Sequence, residues 1–362
     1  MNDSPPRVSI IVPCRNEADH IEKCVRSILG QQMGGLSFEL IVADGMSDDG
    51  TRELLKRLAI QDERIRVVDN PHQIVSSGLN AAIRAAHGQI IMRMDAHTEY
   101  ASDYVRQCFL VLQETGADNV GGPWIARGDG YVGLAISAAF NSSFAVGGAR
   151  GHNPDYEGEV DTVYLGCWRR ELFDRIGLFD EELIRNQDDE FNLRLMRCGA
   201  RIWQSPRIRS WYHPRASLRD LFRQYQQYGY WKVRVIQKHH LPASIRHLIP
   251  AAFVACLAIL AAAAPFGELA VIALAALLAA YGIAAAVAAG ITATRYDVRL
   301  FPILPLVFVC YHLSYGVGFL RGILDFAVLR RVSPFCNKLT RSSRKVVSGK
   351  AAISTGSDDS LR

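Results

Sequence analysis

Apolar residues along this chain follow two rhythms. Through residues 7–205, short β-branched runs alternate with segments whose apolar positions recur every three to four residues, the marks of strands and amphipathic helices in turn. Residues 7–12, closed by Pro13, predict a buried strand, and residues 16–29, with Ile21, Val25, Ile28 and Leu29 on one face, predict a helix. Residues 38–43 predict a second strand, running into Asp44-Gly45 and a polar turn before a helix at 51–59. A third strand is predicted at 65–68, a helix at 77–86, a fourth strand at 89–94 closed by Asp95, and another helix from about Ser102. Repeated strand–helix–strand units predict an α/β fold with a mainly parallel sheet covered by helices. Ligands of such sheets sit outside the carboxyl ends of the strands.

The second rhythm is apolar all round. From residue 248 to 294 the only charge is Glu268, and residues 301–320 carry none. The first stretch is long enough for two spans of about 20 residues each, broken at Ala264-Pro265-Phe266-Gly267-Glu268. Spans are expected near 248–266, 269–291 and 301–320. A buried pair of core helices is the alternative, but three nearly charge-free runs flanked by basic residues favour a membrane.

Charge changes the picture once it is divided along the chain. The 362 residues carry 41 Lys and Arg against 36 Asp and Glu, yet residues 1–206 have a net charge of −9, 207–246 of +8 and 321–362 of +6. Four parts follow: a folded domain at 1–206, a basic amphipathic segment at 207–246, a membrane domain at 247–328 and a basic tail at 329–362, of which 342–362 reads as disordered. The belt of Arg215, Arg219, Arg223, Lys232, Arg234, Lys238 and Arg246 before the first span places the front domain on the cytoplasmic face. A full crossing by the third run would put the basic tail outside, against the same bias; a re-entrant or interfacial run is the alternative. Within the belt, Leu218, Leu221, Phe222 and Tyr225 share one helical face and Arg219 and Arg223 another, which suits the surface of an anionic leaflet. Nucleic acid is a remote partner beside an acidic domain and an apolar block. The 8 cysteines include no C-x-x-C pair, which argues against a disulfide framework or a structural zinc site. Residues 1–8 lack the features of a cleavable export signal.

Three strand ends carry polar groups expected to converge on one edge: Pro13-Cys14-Arg15-Asn16-Glu17, Asp44, and Asp95-Ala96-His97. Neither G-x-G-x-x-G after the first strand nor G-x-x-x-x-G-K-[ST] is present, so a nicotinamide-dinucleotide site and a P-loop lose support. Asp95 and His97, two apart on extended chain, project to one side, where a carboxylate and an imidazole can hold a divalent ion against a diphosphate. A turn aspartate beside a solvated histidine is the plainer reading. Asp44 is either a turn cap or an acceptor for the N–H of a uracil-like base. Asp188 opens a helix predicted at 188–198; it serves either the helix dipole or, as a general base, an attacking hydroxyl. His213 is a third metal ligand or a structural histidine. Gln227 and Trp231 line an acceptor site or simply pack.

At these residues the sequence resembles the family 2 glycosyltransferases, which have the GT-A fold, over roughly residues 8–240. The pieces stand in the family's order: Val8-Ser9-Ile10-Ile11-Val12-Pro13 with Asn16-Glu17, then Val42-Ala43-Asp44-Gly45 with Ser47, Asp49, Gly50 and Thr51, then Asp95-Ala96-His97, Gly177-x-Phe179-Asp180-Glu181 and Asp188 with Arg194-Leu195. More narrowly, Met94-Asp95-Ala96-His97, Asn186-x-Asp188-x-Glu190 and the stretch 224–238 resemble the succinoglycan-biosynthesis type, which carries C-terminal membrane helices. The resemblance implies a nucleotide-sugar donor, usually UDP-linked, a divalent metal (Mn²⁺ or Mg²⁺) and inversion at the anomeric carbon. It puts Pro13, Arg15, Glu17 and Asp44 on nucleotide-contact positions, with Asp95 beside them. It puts Asp95 and His97 on the D-x-D metal motif and Asp188 on the catalytic base. There are two departures: His97 replaces the second Asp of the motif, and Gln187 replaces the Glu before the base. The expected enzyme is a multi-pass inner-membrane glycosyltransferase whose catalytic domain faces the cytoplasm. It would extend a polyprenyl-diphosphate-linked saccharide in exopolysaccharide assembly. The alternatives are a processive polysaccharide synthase, which normally needs more spans, and a non-catalytic nucleotide-sugar-binding subunit.

Overall fold

Strands form where the β-branched runs lie, and their pairing decides which polar ends meet. The computed structural model describes residues 6–148, 150–241 and 244–330; from residue 331 on, the basic tail lies outside the described residues. The strands β1 (Val8–Cys14), β2 (Phe38–Asp44), β3 (Ile65–Asp69) and β4 (Ile90–Arg93) alternate with helices Ile21–Leu29, Thr51–Gln61 and Val75–Ala85. They pair in parallel in the order β3-β2-β1-β4. Parallel pairing with Cys14 opposite Asp44 and Ile11 opposite Arg93 brings all three polar ends to one edge of the sheet.

β1 continues through Pro13, the expected stop. The Ile11 carbonyl accepts the Met94 N–H at 3.0 Å, so Pro13, two residues on, faces the same side beyond the end of β4. No strand there asks for its missing N–H.

The far half of the sheet departs from simple strand–helix repetition. In chain order come β5 (Thr98–Tyr100), β6 (Asn119–Gly122), β7 (Ile125–Ala126), β8 (Gly158–Glu159), β9 (Tyr164–Arg169), β10 (Ile202–Gln204) and β11 (Ser210–Tyr212). β9 enters antiparallel between β4 and β6, and β10 and β8 complete an eight-stranded, mainly parallel sheet. A three-stranded sheet, β5-β11-β7, starts directly after His97. Apolar side chains fill both faces of the large sheet, Ile10, Val12, Leu40 and Val105 on one and Ile11, Ile41, Leu79, Trp168 and Phe191 on the other.

Most of the basic belt lies on one helix, Leu218–His239, whose first turn is capped by Ser217 Oγ accepting the Asp220 N–H at 3.1 Å; Arg215 and Arg246 flank it. Beyond it, three segments are long and apolar enough to cross a membrane: Ile245–Phe266, Glu268–Arg295 and Leu304–Val328. Only 11% and 6% of the most apolar windows of the first two are buried, against 50% for the third. Ile259, Phe266, Leu269 and Ile283 stand exposed on the first two, the pattern of helices that face lipid.

The third segment is half buried because the basic helix lies along it. A side chain at Gly318 would run into the Gln226 carbonyl, one at Gly229 into that of Tyr315, and one at Gly322 would come within 2.7 Å of that of Tyr230. Small residues on both partners let the backbones touch. This explains the glycines in the stretch read as an interfacial helix. It also changes the reading of its charges. Lys232 pairs with Asp189 at 2.6 Å, Arg234 with Glu182 at 3.0 Å, and Lys238 with Asp180 and Glu182. These three cations bind the acidic segment of the front domain rather than a lipid surface.

Candidate active site

Arg93 is the hub. It ends β4 and is 5% exposed. Its Nε and Nη2 donate to the two carboxylate oxygens of Asp95 at 2.8 and 3.1 Å, and its Nη1 donates to Asp188 at 2.6 Å. Strand alternation puts Arg93 and Asp95 on one side. Asp188 is delivered from the other side of the chain by the helix Gln187–Arg197. Asn186, just before it, holds a left-handed backbone at φ 61°, and its amide donates to the Tyr228 carbonyl at 2.9 Å. Asparagine tolerates that conformation better than most residues, and the turn aims Asp188 back at β4. Asp95, His97 and Asp188 therefore share one cavity of about 1700 Å³, which extends to the apolar helices.

The neighbouring acids Asp188 and Asp189 are pushed apart. Burial, helped by Asp95 and opposed by Arg93, raises the Asp188 carboxyl above its ordinary range. Burial also works to raise Asp189, but Lys232 overrides it and holds that carboxyl low. Two adjacent acids with opposite shifts are a common signature of an acid–base site. Gln187 donates to the second Asp188 oxygen at 3.3 Å, so the residue that departs from the expected Glu is a neutral donor to Asp188.

At the other rim, His97 is exposed and its Nδ1 lies 3.8 Å from Glu17 Oε1. Continuing the β5–β11 register one step past Tyr212 opposite Thr98 brings His213 alongside His97, and His213 lies 3.6 Å from Glu99. Among the described residues, no cluster of three or more His, Cys, Asp or Glu side chains forms a metal-holding group. Each Asp95 oxygen keeps a lone pair beyond its Arg93 contact. The pair Asp95 and His97 thus fits a hard divalent ion whose remaining ligands are phosphate and water.

The expected nucleotide positions Pro13, Arg15, Glu17 and Asp44 are not among the residues that line the cavity. Asp44 is fully buried, accepting from Ser47 Oγ at 2.6 Å and from Arg52 Nη1 at 2.9 Å. These bonds are those of the turn-capping alternative. Arg15 is exposed, and its side-chain stem lies so close over Gly45 that a Cβ there would meet it at 3.0 Å.

At the membrane end, Gln227 lines the cavity and accepts from Arg185 Nε at 3.1 Å. Trp231 does not line it. The indole is buried against Tyr230 and Phe326, so the acceptor reading of Trp231 gives way to packing. One helical turn of four residues separates Gln227 from Trp231, but the contact with the third apolar segment closes over the latter. Sequence reasoning missed Arg93, although its i, i+2 relation to Asp95 was available. It also missed an aromatic wall. Trp124, between β6 and β7, and His152, with Phe140, Tyr164 and Tyr212, pack ring to ring along the cavity. Burial, then Arg246, pulls the His152 imidazole down to about 4, so it is neutral at physiological pH.

Comparisons with known proteins bear on the family and the fold. The sequence model of glycosyl transferase family 2 matches residues 9–176, stopping short of Asp188. The chain is 33% identical over 337 residues to the succinoglycan biosynthesis protein ExoA of Rhizobium meliloti (strain 1021), covering 90% of this chain and 96% of that protein. It is 27% identical over 254 residues to a Methanococcus voltae dolichyl N-acetyl-alpha-D-glucosaminyl phosphate 3-beta-D-2,3-diacetamido-2,3-dideoxy-beta-D-glucuronosyltransferase, covering 68% of this chain and 78% of that one. In fold it resembles the mannosyltransferase PcManGT of Pyrobaculum calidifontis, solved in complex with GDP-Man and Mn²⁺, with a TM-score of 0.54, 22% identity and 88% of each chain covered.

Proposed function

Because this chain belongs to glycosyl transferase family 2, we propose that it is a membrane-embedded inverting glycosyltransferase that moves a sugar from a nucleotide-sugar to a lipid-linked saccharide in exopolysaccharide assembly. The observation that carries the reading is Arg93, which ties Asp95 to Asp188 at the head of a cavity whose far wall is made of apolar helices. The relative named for succinoglycan biosynthesis supports the polysaccharide setting, and the dolichyl-named relative supports a lipid-linked acceptor.

In this reading the base and ribose lie at the strand edge by Pro13, Arg15 and Glu17, and Asp44 orients Ser47 and Arg52 at its rim. Asp95 and His97 would hold a divalent ion, Mn²⁺ or Mg²⁺, whose positive charge would offset that of the departing nucleoside diphosphate. Asp188 takes the proton of the acceptor hydroxyl as that oxygen bonds to the anomeric carbon and the carbon–phosphate-oxygen bond breaks on the opposite face. Its raised carboxyl is a stronger base than an ordinary aspartate. Arg93 keeps the two acids in place. Gln227 lies on the acceptor side. The front domain at 1–206 works from the cytoplasmic face of an inner membrane, the helix Leu218–His239 within the basic segment at 207–246 forms the acceptor side of the cleft, and residues 247–328 hold the lipid bilayer.

The test is nucleotide release from UDP-sugars by purified full-length protein with Mn²⁺ or Mg²⁺, with GDP-mannose in parallel. Metal-dependent release of UDP supports the reading. Release from GDP-mannose alone reassigns the donor. Binding without release over long incubation makes the chain a non-catalytic subunit.

A further inference from the structure

Arg185 and Arg215 both line the cavity, and both are only partly exposed. Among the described residues, no carboxylate lies within ion-pair distance of either. The one polar partner of Arg185 is Gln227, at 3.1 Å, and Arg215 makes no hydrogen bond to the described residues. Burial pulls the Arg185 guanidinium down, and the charge of Arg215 adds to this while Tyr228 and Tyr212 act the other way. A desolvated pair of like charges with no counter-ion is unfavourable unless something anionic completes it.

The surrounding groups add donors and no acceptor of comparable strength. Gln224 Nε2 donates to the Tyr212 hydroxyl at 3.0 Å and to the Tyr228 hydroxyl at 2.9 Å. Each phenol oxygen therefore accepts from the amide, and its own O–H proton is left to donate elsewhere. Both phenols line the cavity. Burial pushes the Tyr212 phenol up to about 12, so it keeps its proton at physiological pH.

Position selects the ligand. Arg185 lies three residues before Asp188 and lines the cavity, which the strand-edge residues Pro13, Arg15, Glu17 and Asp44 do not. Tyr225, beside this cluster, packs on Tyr311 of the third apolar segment with ring centroids 4.3 Å apart. The wall continues with Ile249, Pro250 and Phe253 of the first. Phosphate oxygens held here would have Asp188 on one side and lipid-facing helices on the other.

We propose that Arg185 and Arg215, with the Tyr212 and Tyr228 hydroxyls, form a second anion subsite that grips the phosphates linking an isoprenoid tail to the acceptor saccharide. The assignment rests on the acceptor being lipid-linked, and donor binding tests that larger reading separately.

The experiment uses the full chain in detergent with Mn²⁺ and saturating UDP, so that the donor site is filled. Farnesyl diphosphate is the probe, and binding is followed by titration calorimetry. R185Q and R215Q should each weaken the probe by about tenfold or more, and Y228F by a few-fold. R185K should recover most of the loss, and UDP affinity should be unchanged in all four. Unchanged UDP affinity also shows that the variants fold. Displacement of the probe by UDP, or equal weakening of UDP and probe, would assign the two arginines to the donor and overturn the proposal. Equal competition by inorganic pyrophosphate, or competition by phosphatidylglycerol nanodiscs, would overturn the lipid-linked assignment. Failure of UDP to bind wild type would instead sink the proposed function.

Discussion

The cavity has one guanidinium that is saturated with carboxylates and two that have none among the described residues. Arg93 is buried and uses three of its nitrogens on Asp95 and Asp188. Arg185 and Arg215 share the same cavity without an acid between them. A saturated cation is internal scaffolding, because its energy is already realised in the folded chain. An unsaturated one is a site whose partner arrives from outside.

The strongest way to break this contrast is to remove the base. Asp188→Asn leaves Arg93 a neutral partner of the same shape, and kcat should fall by about 10²–10⁴-fold with UDP affinity intact. Wild-type turnover in this variant would mean that the saturated group is only structural. Arg93→Gln comes next. It strands two acids in a partly buried site, and unfolding measured in detergent should show a loss of about 3–5 kcal/mol. It also gives a pH signature. In wild type, burial and Asp95 raise Asp188 while Arg93 lowers it. The base works only when ionised, so kcat should fall as pH drops through a value above the usual carboxylate range. Without Arg93 that acid limb should move to still higher pH. A limb that stays put, or shifts down, would deny that the guanidinium faces the base.

A subtler variant sharpens the contrast by moving one of the two groups only. Gly318→Leu forces the third apolar segment off the helix that carries Gln224, Gln227 and Tyr228, at a cost of about 1–3 kcal/mol. The KM for a lipid-linked acceptor should rise while the KM for the nucleotide-sugar holds. Equal changes in both would show that the two groups are one site. The smallest effect is expected at Arg219, which is exposed; Arg219→Gln should alter stability by less than about 0.5 kcal/mol, measured by the same unfolding.

Much of the fold was open to reading because its signals are local. β-branched runs closed by Asp44 and Asp95 marked strand ends, and charge-free stretches marked the apolar helices. The gathering of the strand ends at Asp44 and Asp95 followed from topology, since parallel strands bring their carboxyl ends to one edge. What escaped were partners set by distant chain. Arg93 reaches Asp188 across 95 residues, and periodicity carries no trace of that contact. The insertion of β9 antiparallel beside β4 cannot be inferred from alternation along β9 itself. Lys232, Arg234 and Lys238 looked like lipid contacts because their acids, Asp189, Glu182 and Asp180, sit on another element. Trp231 looked like a ligand residue because its burial depends on Phe326, far along the chain.

The glycine contacts of Gly229, Gly318 and Gly322 carry one more consequence. Backbones in direct touch cannot slide past each other without rebuilding the joint, so the reaction chamber is bolted to the span beneath it. Under the proposed function, its stand-off from the bilayer is a constant of the molecule, and a lipid-linked sugar whose reactive hydroxyl rides too high or too low on its carrier would be refused by altitude alone.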